Sequence, residues 1–439
     1  MSVALAFLFV HLPAFAGPLD DAKRAFEHKD YERALSLVEP LIREPKIAAA
    51  ARRLKIKALL KLQKPVDALT EYDRLTEQAG RDDRGLLREL AVAFIIPMLK
   101  DMREQMRGAG YTALKELDSD ETIPYFEDGL SDGSGLVRAL AVEGLGRLAT
   151  GRRSARIQQA LEDQAGMVRV AALKALARSD DPAAQAKIRK ALTDDQPIVR
   201  IAAAGALGKF DRNAAWERVR QATAAANPDE RAAALRALGE SRDPRALPIL
   251  QEAASHPQPS IRGAAAAALG DLALKEATAT LVALLADPLP AVRAAAIVAL
   301  GELGERSAAP MVEKNLEDSN LPVRAASIAT LLDLGVPYER VSGVVDHLAQ
   351  HTDPGVRSAV AKALSKAKGG PAIDLLAMLL DDPLPRPRIA AARSLGHIGG
   401  DETIPLLKKA LHDRDEAVRA TAGGALGRIL KVGANQRVG

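Results

Sequence analysis

The sequence lacks cysteine and has few aromatic residues. None of the 439 residues is cysteine, and Phe, Tyr and Trp together make up 3% of the chain. The first absence excludes disulfides, thiol nucleophiles and zinc sites that need thiolate ligands. The second absence, in a chain with 48% hydrophobic residues, indicates a core built from Ala, Leu and Val.

The chain also lacks a strong excess of charge. Its 61 Lys and Arg face 57 Asp and Glu, which gives a formal net charge of +4. It therefore has no strongly basic domain of the kind that signals nucleic-acid binding. We find no phosphate-binding loop, nucleophile elbow or carboxylate dyad in a supporting context. The sequence predicts no catalytic residue, no metal site and no cofactor.

Long apolar runs are absent beyond the N-terminus. Val3 to Ala16 is apolar and ends in Ala14-Phe15-Ala16, a small-x-small pattern typical of a signal peptidase site. The run is too short to span a bilayer as a mature helix, although no Lys or Arg precedes it. The sequence predicts a signal peptide at residues 1–16 and export to a bacterial periplasm or envelope. An apolar first helix in a cytoplasmic protein is the alternative.

The chain does contain a repeat of 31 residues. Eleven arginines follow this period, with one insertion of two residues between Arg324 and Arg357, and a Leu stands seven residues after each of them. An Asp stands six residues before eight of them. A fixed period of this length marks a repeat architecture. The arginines are Arg107, Arg138, Arg169, Arg200, Arg231, Arg262, Arg293, Arg324, Arg357, Arg388 and Arg419.

Each repeat encodes two helices. In the stretch DPLPAVRAAAIVALGELG, the apolar positions Val292, Ala296, Ala299 and Leu303 have the 3–4 spacing of one helical face. Such a unit cannot bury its apolar faces alone and must stack on copies of itself. The predicted fold is all-α, a right-handed α-solenoid of about ten antiparallel helical hairpins, roughly 90–100 Å long at about 9 Å per packed helix.

The motif of Asp, then Val-Arg, then small residues and Ala-Leu-Gly resembles the short, phycobilisome-lyase-type form of the HEAT repeat. The resemblance covers residues 84–432 and implies a widely reused binding scaffold. It carries no activity over: deoxyhypusine hydroxylase, built from similar repeats, has an iron site of His-Glu pairs, and this chain has no His-Glu dipeptide. No residue can be assigned to bilin lyase activity either.

A different period precedes these repeats. The segments KDYERAL and KPVDALT place Ala34-Leu35 and Ala68-Leu69 34 residues apart, which is the tetratricopeptide period. We expect two degenerate tetratricopeptide-like helical hairpins in residues 17–80, where they would cap the first HEAT-like repeat. Residues 433–439 are predicted to be a disordered tail.

We interpret the repeated Asp and Arg as structural. Arginine carries five donors in a planar fork, enough for an Asp and nearby turn carbonyls together, and the resemblance implies a ladder between successive repeats. Ala225, His256 and His351 occupy the Asp position in three repeats, where we expect a looser structure. The predicted ladder comprises Asp132, Arg138, Asp163, Arg169, Asp194, Arg200, Asp287, Arg293, Asp318, Arg324, Asp382, Arg388, Asp413 and Arg419.

A second row of residues is the candidate binding surface. Nine residues after each repeated Arg, the charges come in blocks that are basic, then acidic, then basic again. In the fold that the resemblance implies, the second helices line a concave face. An acidic rim with an apolar floor would suit a basic or amphipathic segment of a partner protein. The predicted partner-binding residues are Glu240, Asp271, Glu302, Asp333, Ala267, Ile297, Val298 and Ile328.

The alternative interpretation of this row is that the apolar residues pack between repeats and the charges are only solvated. With the row as a binding surface, the sequence favours a non-enzymatic, monomeric scaffold that binds a protein partner. Two other functions stay open: a lyase- or chaperone-type subunit acting on a chromophore or modified protein, and a phosphate-backbone binder. The sequence does not name the partner.

Overall fold

The computed structural model describes residues 17–179 and 182–431, and the chain divides into two compact units, Met1–Ala93 and Phe94–Gly439. All regular secondary structure in these described ranges is helical, in agreement with the predicted all-α solenoid. None of the described helices has the length and apolar character needed to cross a bilayer. The predicted signal peptide and C-terminal tail lie outside the described residues.

The described residues of the first unit, 17–93, form five helices that pack consecutively. Ala34, Ala68 and Leu69 of the tetratricopeptide-like period are buried. A buried ion pair of 2.5 Å between Arg52 and Glu71 joins the third and fourth helices. The helices are α1 (Pro18–Glu27), α2 (Tyr31–Leu41), α3 (Ala48–Lys61), α4 (Pro65–Ala79) and α5 (Arg84–Ala93).

The boundary between the units differs from the sequence prediction, which began the repeat array at residue 84. Helix α5 belongs to the first unit because it packs against α4. The Tyr72 hydroxyl of α4 also donates a hydrogen bond of 3.0 Å to Asp82, just before α5 begins.

The second unit contains eleven repeats, each with a first and a second helix. The even-numbered helices are the second helices, and the 3-10 helix Ile96–Lys100 is the first helix of the first repeat. The α-helices are α6 (Glu104–Leu117), α7 (Ile123–Gly129), α8 (Gly135–Arg147), α9 (Ala155–Gln159), α10 (Gly166–Ala177), α11 (Pro182–Ala191), α12 (Pro197–Leu207), α13 (Arg212–Ala222), α14 (Pro228–Glu240), α15 (Ala246–Ala253), α16 (Pro259–Leu272), α17 (Thr278–Leu284), α18 (Pro290–Glu302), α19 (Ala309–Glu313), α20 (Leu321–Asp333), α21 (Ser342–Ala349), α22 (Pro354–Ala363), α23 (Gly370–Leu379), α24 (Pro385–Ile398), α25 (Ile404–Ala410) and α26 (Glu416–Ile429).

Short 3-10 helices extend several of these elements or connect them. Besides Ile96–Lys100 they are Asp120–Thr122, Gly151–Arg153, Ala160–Glu162, Lys275–Ala277, Arg306–Ala308, Lys314–Glu317, Tyr338–Arg340, Leu364–Lys366 and Asp401–Thr403. Many second helices begin at Pro, which fits the first helical position because its missing N–H would have no intrahelical partner.

The two helices of a repeat lie in different layers. Consecutive second helices pack closely on one another, whereas the first helices pack mainly on second helices. A curved array has its shorter arc on the side where neighbours are most closely packed. The second helices therefore form the inner layer of a curved wall, and the first helices form the outer layer.

The array of the second unit closes on itself, since the last inner helix, α26, packs against the first, α6. A Cβ added at Gly424 would lie 2.7 Å from the carbonyl oxygen of Ala113, and one added at Gly427 would lie 3.0 Å from Leu117. The eleven second helices thus form an inner ring. The predicted open array of 90–100 Å is wrong because the curvature of the eleven repeats completes a full turn.

The register changes where the ring closes, at the seam between α26 and α6. At a regular interface Gly270 faces Ala299. Gly270 stands eight residues after Arg262, and Ala299 stands six residues after Arg293, the ladder Arg of the next repeat. At the seam Gly424, five residues after Arg419, faces Ala113, which occupies the sixth position of its own repeat. The shift is three residues, close to one helical turn.

Candidate functional site

The repeated arginines join each repeat to the next. Nε and Nη2 of Arg293 donate to the two carboxylate oxygens of Asp318 at 2.7 and 2.8 Å. Its Nη1 donates to the carbonyl oxygen of Asp287 at 2.8 Å. Asp287 thus contributes its backbone to Arg293, and its carboxylate accepts from Arg262 of the preceding repeat at 2.6 Å.

The same pairing recurs between an Arg and the Asp 25 residues after it, except that Arg169 reaches Asp194 through Nη2 alone. The paired Arg and Asp side chains are mostly buried. Each Asp also accepts a hydrogen bond from the backbone N–H two residues further on, as Asp163 does from Ala165 at 2.8 Å. The ladder therefore fixes both the interface and the turn before each inner helix. The pairs are Arg107–Asp132, Arg138–Asp163, Arg169–Asp194, Arg262–Asp287, Arg293–Asp318, Arg357–Asp382 and Arg388–Asp413.

Four arginines depart from this pattern. Arg200, which faces the repeat with Ala225, comes within only 3.8 Å of Glu230. Arg231 contacts Nε2 of His256 at 2.9 Å. Arg324 donates to the carbonyl oxygen of Asp318 at 2.5 Å, and Arg419 donates to that of Asp413 at 2.8 Å. The first three face the repeats in which Ala225, His256 or His351 replaces the Asp, and the fourth stands at the seam.

The exposed side of the inner helices faces into the ring. Its residues stand five and nine positions after each ladder Arg. Lys174 of α10 reaches across α12 to Glu240 of α14 and pairs with it at 2.8 Å. His397 of α24 similarly lies 3.6 Å from Glu116 of α6, across α26. Side chains from alternate helices meet only on the concave side of a curved wall.

Ring closure changes the arrangement of the charges. The two basic blocks of the sequence lie at opposite ends of the chain, but the seam brings them together on one side of the ring. Four consecutive helices on the other side carry an exposed acidic residue nine positions after the ladder Arg. We call this surface the acidic arc; it consists of Glu240, Asp271, Glu302 and Asp333.

Two carboxylates of the acidic arc have no partner within the described part of the chain. Glu240 pairs with Lys174, and Asp333 pairs with Lys366 at 3.2 Å. For Asp271, burial and the negative charge of Glu240 raise the carboxyl pKa. For Glu302, burial and the negative charge of Asp271 raise the carboxyl pKa. No cation pairs directly with Asp271 or Glu302, and the nearby charges of Lys174, Arg242 and Lys366 offset the raised pKa values only in part.

The apolar residues predicted beside this arc fall into two groups. Val298 is 46% exposed and Ala267 is half-buried, both five positions after a ladder Arg. Ile297 and Ile328 are fully buried, so their assignment to a partner-binding floor is wrong. They stand one position earlier, and one residue rotates a side chain by about 100° around a helix, here into the interface between inner helices.

A crevice between α12 and α14 was missed by the sequence reasoning. It comprises a recess of about 280 Å³ that reaches Trp216 in the outer layer and an adjoining recess of about 430 Å³ on the inner face. Signals for it were present: Ala225 replaces the ladder Asp, and Gly205 stands where most repeats carry a side chain on the inner face.

His347 and His351 stand four residues apart, a spacing that can hold a metal ion, but they do not form part of a larger cluster among the described residues. Across residues 17–179 and 182–431, no group of three or more His, Asp and Glu side chains is placed to hold a metal ion. His347 lies in α21 and His351 just after it, at the Asp position of its repeat.

Comparison with known proteins identifies the repeats. A family model described as HEAT repeats matches residues 153–226, 217–291, 278–341 and 374–437, more than half of the chain. No curated protein matches the chain.

Three solved structures illustrate the range of similar folds. The complex of CpcE and CpcF of phycocyanin lyase from Nostoc sp. is 23% identical, with a TM-score of 0.37, and the match covers 54% of this chain and 91% of that one. For human deoxyhypusine hydroxylase the identity is 20%, the TM-score 0.27 and the coverage 67% and 99%. Kap95p, in a complex with RanGDP, is 14% identical, with a TM-score of 0.37 and coverage of 94% and 67%. We assign no function from likenesses this low.

Proposed function

The chain belongs to the HEAT-repeat family, and from its inner surface we propose that it is a scaffold that binds one segment of a partner protein inside the ring. The HEAT-repeat solenoid is a fold suited to protein interaction. The segment we propose is basic and partly apolar, and it lies along the acidic arc. The lyase-type and phosphate-backbone alternatives stay predictions, because no described residue can be assigned to either.

The observation that carries the proposal is that Asp271 and Glu302 stand side by side on the inner face without a direct cation partner. Partial burial and repulsion by the neighbouring acid, Glu240 for Asp271 and Asp271 for Glu302, raise the pKa of each carboxyl group. A Lys or Arg of the partner placed between them would remove that repulsion and lower both pKa values. Val298 stands exposed beside them and offers apolar contact to the same segment.

The dimensions of the ring favour a segment over a folded domain. Eleven helices spaced evenly at about 9 Å enclose an opening about 20 Å across once the thickness of the helices is subtracted. An α-helix with side chains is about 10–12 Å wide, so one helix or one extended strand fits. A folded domain of about 100 residues does not.

The test uses a fluorescent peptide of alternating Lys and Leu as the probe, with anisotropy as the measurement. The double charge reversal Asp271→Lys with Glu302→Lys should weaken binding at least about tenfold at low salt, since it replaces attraction by repulsion. The matched control, Glu252→Lys with Glu276→Lys, makes the same change in net charge on exposed residues of the outer layer.

Equal loss of binding in both double variants would show that only net charge matters, and unchanged binding in the first variant would refute the proposal. Once the probe distinguishes the variants, proteins of the native host that bind the wild type but not the reversed arc can be identified by mass spectrometry.

A further inference from the structure

The interface between α12 and α14 is open at a position where the inner interfaces with an equivalent glycine are closed. At the regular position eight residues after the ladder Arg, a Cβ added to Gly239 would lie 2.5 Å from the carbonyl oxygen of Ala268 on the next helix. The equivalent Gly208 of α12 has no atom of α14 within 4 Å of such a Cβ. The glycine that elsewhere allows close approach here borders a gap.

Two substitutions account for this gap. Ala225 deprives Arg200 of the carboxylate that would draw the two repeats together, and the remaining contact with Glu230 is long at 3.8 Å. Gly205 leaves the inner mouth of the gap without a side chain, because the nearest atom to a Cβ added there is Ala237 Cβ at 3.8 Å.

The wall of the crevice is mixed. Polar side chains such as Lys209, Arg212 and Asp243 line part of it, and apolar side chains together with Trp216 line the rest. Ala206, Ala215, Val219 and Leu238 line the recess that reaches Trp216, and all four are buried. Trp216 lies at its outer end, where the guanidinium carbon of Arg245 sits 4.5 Å from the centroid of the indole ring. This cation fixes one face of the ring, and the crevice lies against the rest of the side chain.

The mouth of the crevice carries charges of both signs. Lys174 and Arg178 border it on one side, and Glu240, Asp271 and Arg242 border it on the other. A charged side chain entering between them would meet a like charge, whereas an uncharged side chain would not. Asp271 belongs to the acidic arc as well, so a segment on the arc passes the mouth.

We propose that this crevice is the anchor site for one large apolar side chain of the partner segment, next to the basic residues that contact Asp271 and Glu302. The inference rests on the proposed function, because it places the same segment. Protein interfaces commonly concentrate their affinity in an aromatic or aliphatic side chain that fills a desolvated pocket. Beside Trp216 the crevice offers the apolar wall that such a side chain can contact.

The experiment exploits Trp216, the one tryptophan of the chain. Two Lys-rich peptides of equal length are compared, one with a single Phe and one with Ser in its place. We expect the Phe peptide to bind wild-type protein about tenfold more tightly. It should also shift the emission of Trp216 to shorter wavelength by excluding water, whereas the Ser peptide should not.

A filled crevice provides the second measurement. Gly205→Leu should reduce the affinity for the Phe peptide to that for the Ser peptide. The control Gly263→Leu places the same side chain on an inner helix where a Cβ meets nothing within 4 Å, and it should leave both affinities unchanged. The wild-type comparison of the two peptides needs no variant, so it holds even where Gly205→Leu folds poorly.

The outcomes separate the two proposals. Equal binding of both peptides, with loss in the Asp271→Lys, Glu302→Lys variant and no change in Trp216 emission, would overturn the anchor site and leave the acidic arc standing. Binding of the Phe peptide that Gly205→Leu abolishes but the charge reversal does not would support the crevice and overturn the arc. No measurable binding of either peptide would overturn both.

Discussion

Arg428 donates a hydrogen bond of 3.1 Å to Glu116, which precedes it by 312 residues. The pair joins the last inner helix to the first. Lys431–Asp118 at 2.7 Å and Arg103–Glu416 at 2.8 Å cross the same seam. Since these side chains are partly exposed, each pair contributes little. The close approach of α26 to α6 at Gly424 therefore carries most of the closure.

We predict that Gly424→Leu opens the ring. The added side chain would meet the backbone of Ala113, which cannot move aside as a flexible side chain can. Overpacking of this kind costs about 1–3 kcal/mol, comparable with the strength of a seam made of one helix interface. Because the chain has no native cysteine, spin labels at Asp118→Cys and Lys431→Cys can report the distance across the seam without background.

The expected result for the seam is a short distance in the wild type and a longer, broader distribution in Gly424→Leu. The radius of gyration in solution should rise in parallel. Gly263→Leu serves as the control, and a seam distance that stays the same in Gly424→Leu would contradict the role of this contact.

The ladder offers a matched test in two adjacent residues. Asp382 accepts from Arg357 at 2.6 Å, and its side chain is 5% exposed. Asp381 pairs with Lys409 at 2.7 Å, and its side chain is 62% exposed. Asp382→Ala leaves a largely buried guanidinium unpaired and should lower the free energy of unfolding by about 2–3 kcal/mol. Asp381→Ala should cost less than about 1 kcal/mol.

The ladder also predicts a dependence on pH. Burial is the largest single effect and would raise the pKa of Asp382. The hydrogen bonds from Arg357 and from the backbone N–H of Leu384, together with the positive charges of Arg357 and Arg388, outweigh it and lower the pKa below the ordinary value of 3.8. A lowered pKa stabilises the fold above the unfolded-state value, and this stabilisation disappears as the pH falls through the folded-state value. Urea titrations should show the cost of Asp382→Ala shrinking in acid. A cost equal to that of Asp381→Ala at neutral pH would contradict the ladder.

The repeat architecture could be predicted from the sequence because the period is strict. Arg and Leu recur in every unit, and each unit must stack to bury its apolar face. Closure could not be predicted, because it depends on the sum of small rotations between repeats, and no single motif encodes that sum. The sequence also does not show which carboxylate pairs with Arg293, because Asp287 stands before it and Asp318 after it. Only the stacking of the repeats shows that the partner is Asp318.

The candidate surface could be predicted in part. The acidic row at the ninth position lies on the inner face, because charged side chains at that spacing must reach solvent. Ile297 and Ile328 were misplaced because an Ala-rich helix has a weak apolar stripe, and the assignment was wrong by one residue. The crevice escaped prediction because it arises from contacts that are missing between α12 and α14.

Repair of the ladder gap should stiffen the region around the crevice. Ala225→Asp places a carboxylate 25 residues after Arg200, the separation found in the regular pairs. We expect slower amide hydrogen exchange across residues 215–260 in this variant, since pairing closes the looser interface. Ala225→Asn is the control, because it has the same shape without the charge.

The wild type supplies the reference for that experiment. Residues 215–260 and 335–355, which contain the replaced ladder positions, should exchange faster than α16 and α18. Uniform protection across these segments and the regular repeats would show that the gaps have no dynamic consequence.

The unpaired acids of the inner face should make the free protein less stable than it could be. Asp271→Asn with Glu302→Gln removes two charges whose pKa values are raised by burial and repulsion. A raised pKa means that ionisation costs stability, so the neutral variant should be more stable at pH 7, by no more than about 1 kcal/mol given the exposure of these groups. The advantage should disappear as the pH falls through the raised pKa values, because the wild-type carboxyl groups then become neutral too.

Asp333→Asn is the matched control from the same row: it loses the pair with Lys366 and should gain nothing. Equal unfolding midpoints for wild type and double variant at pH 7 and low salt would mean that the arc carries no uncompensated charge, and the main argument for a basic partner would fail with it.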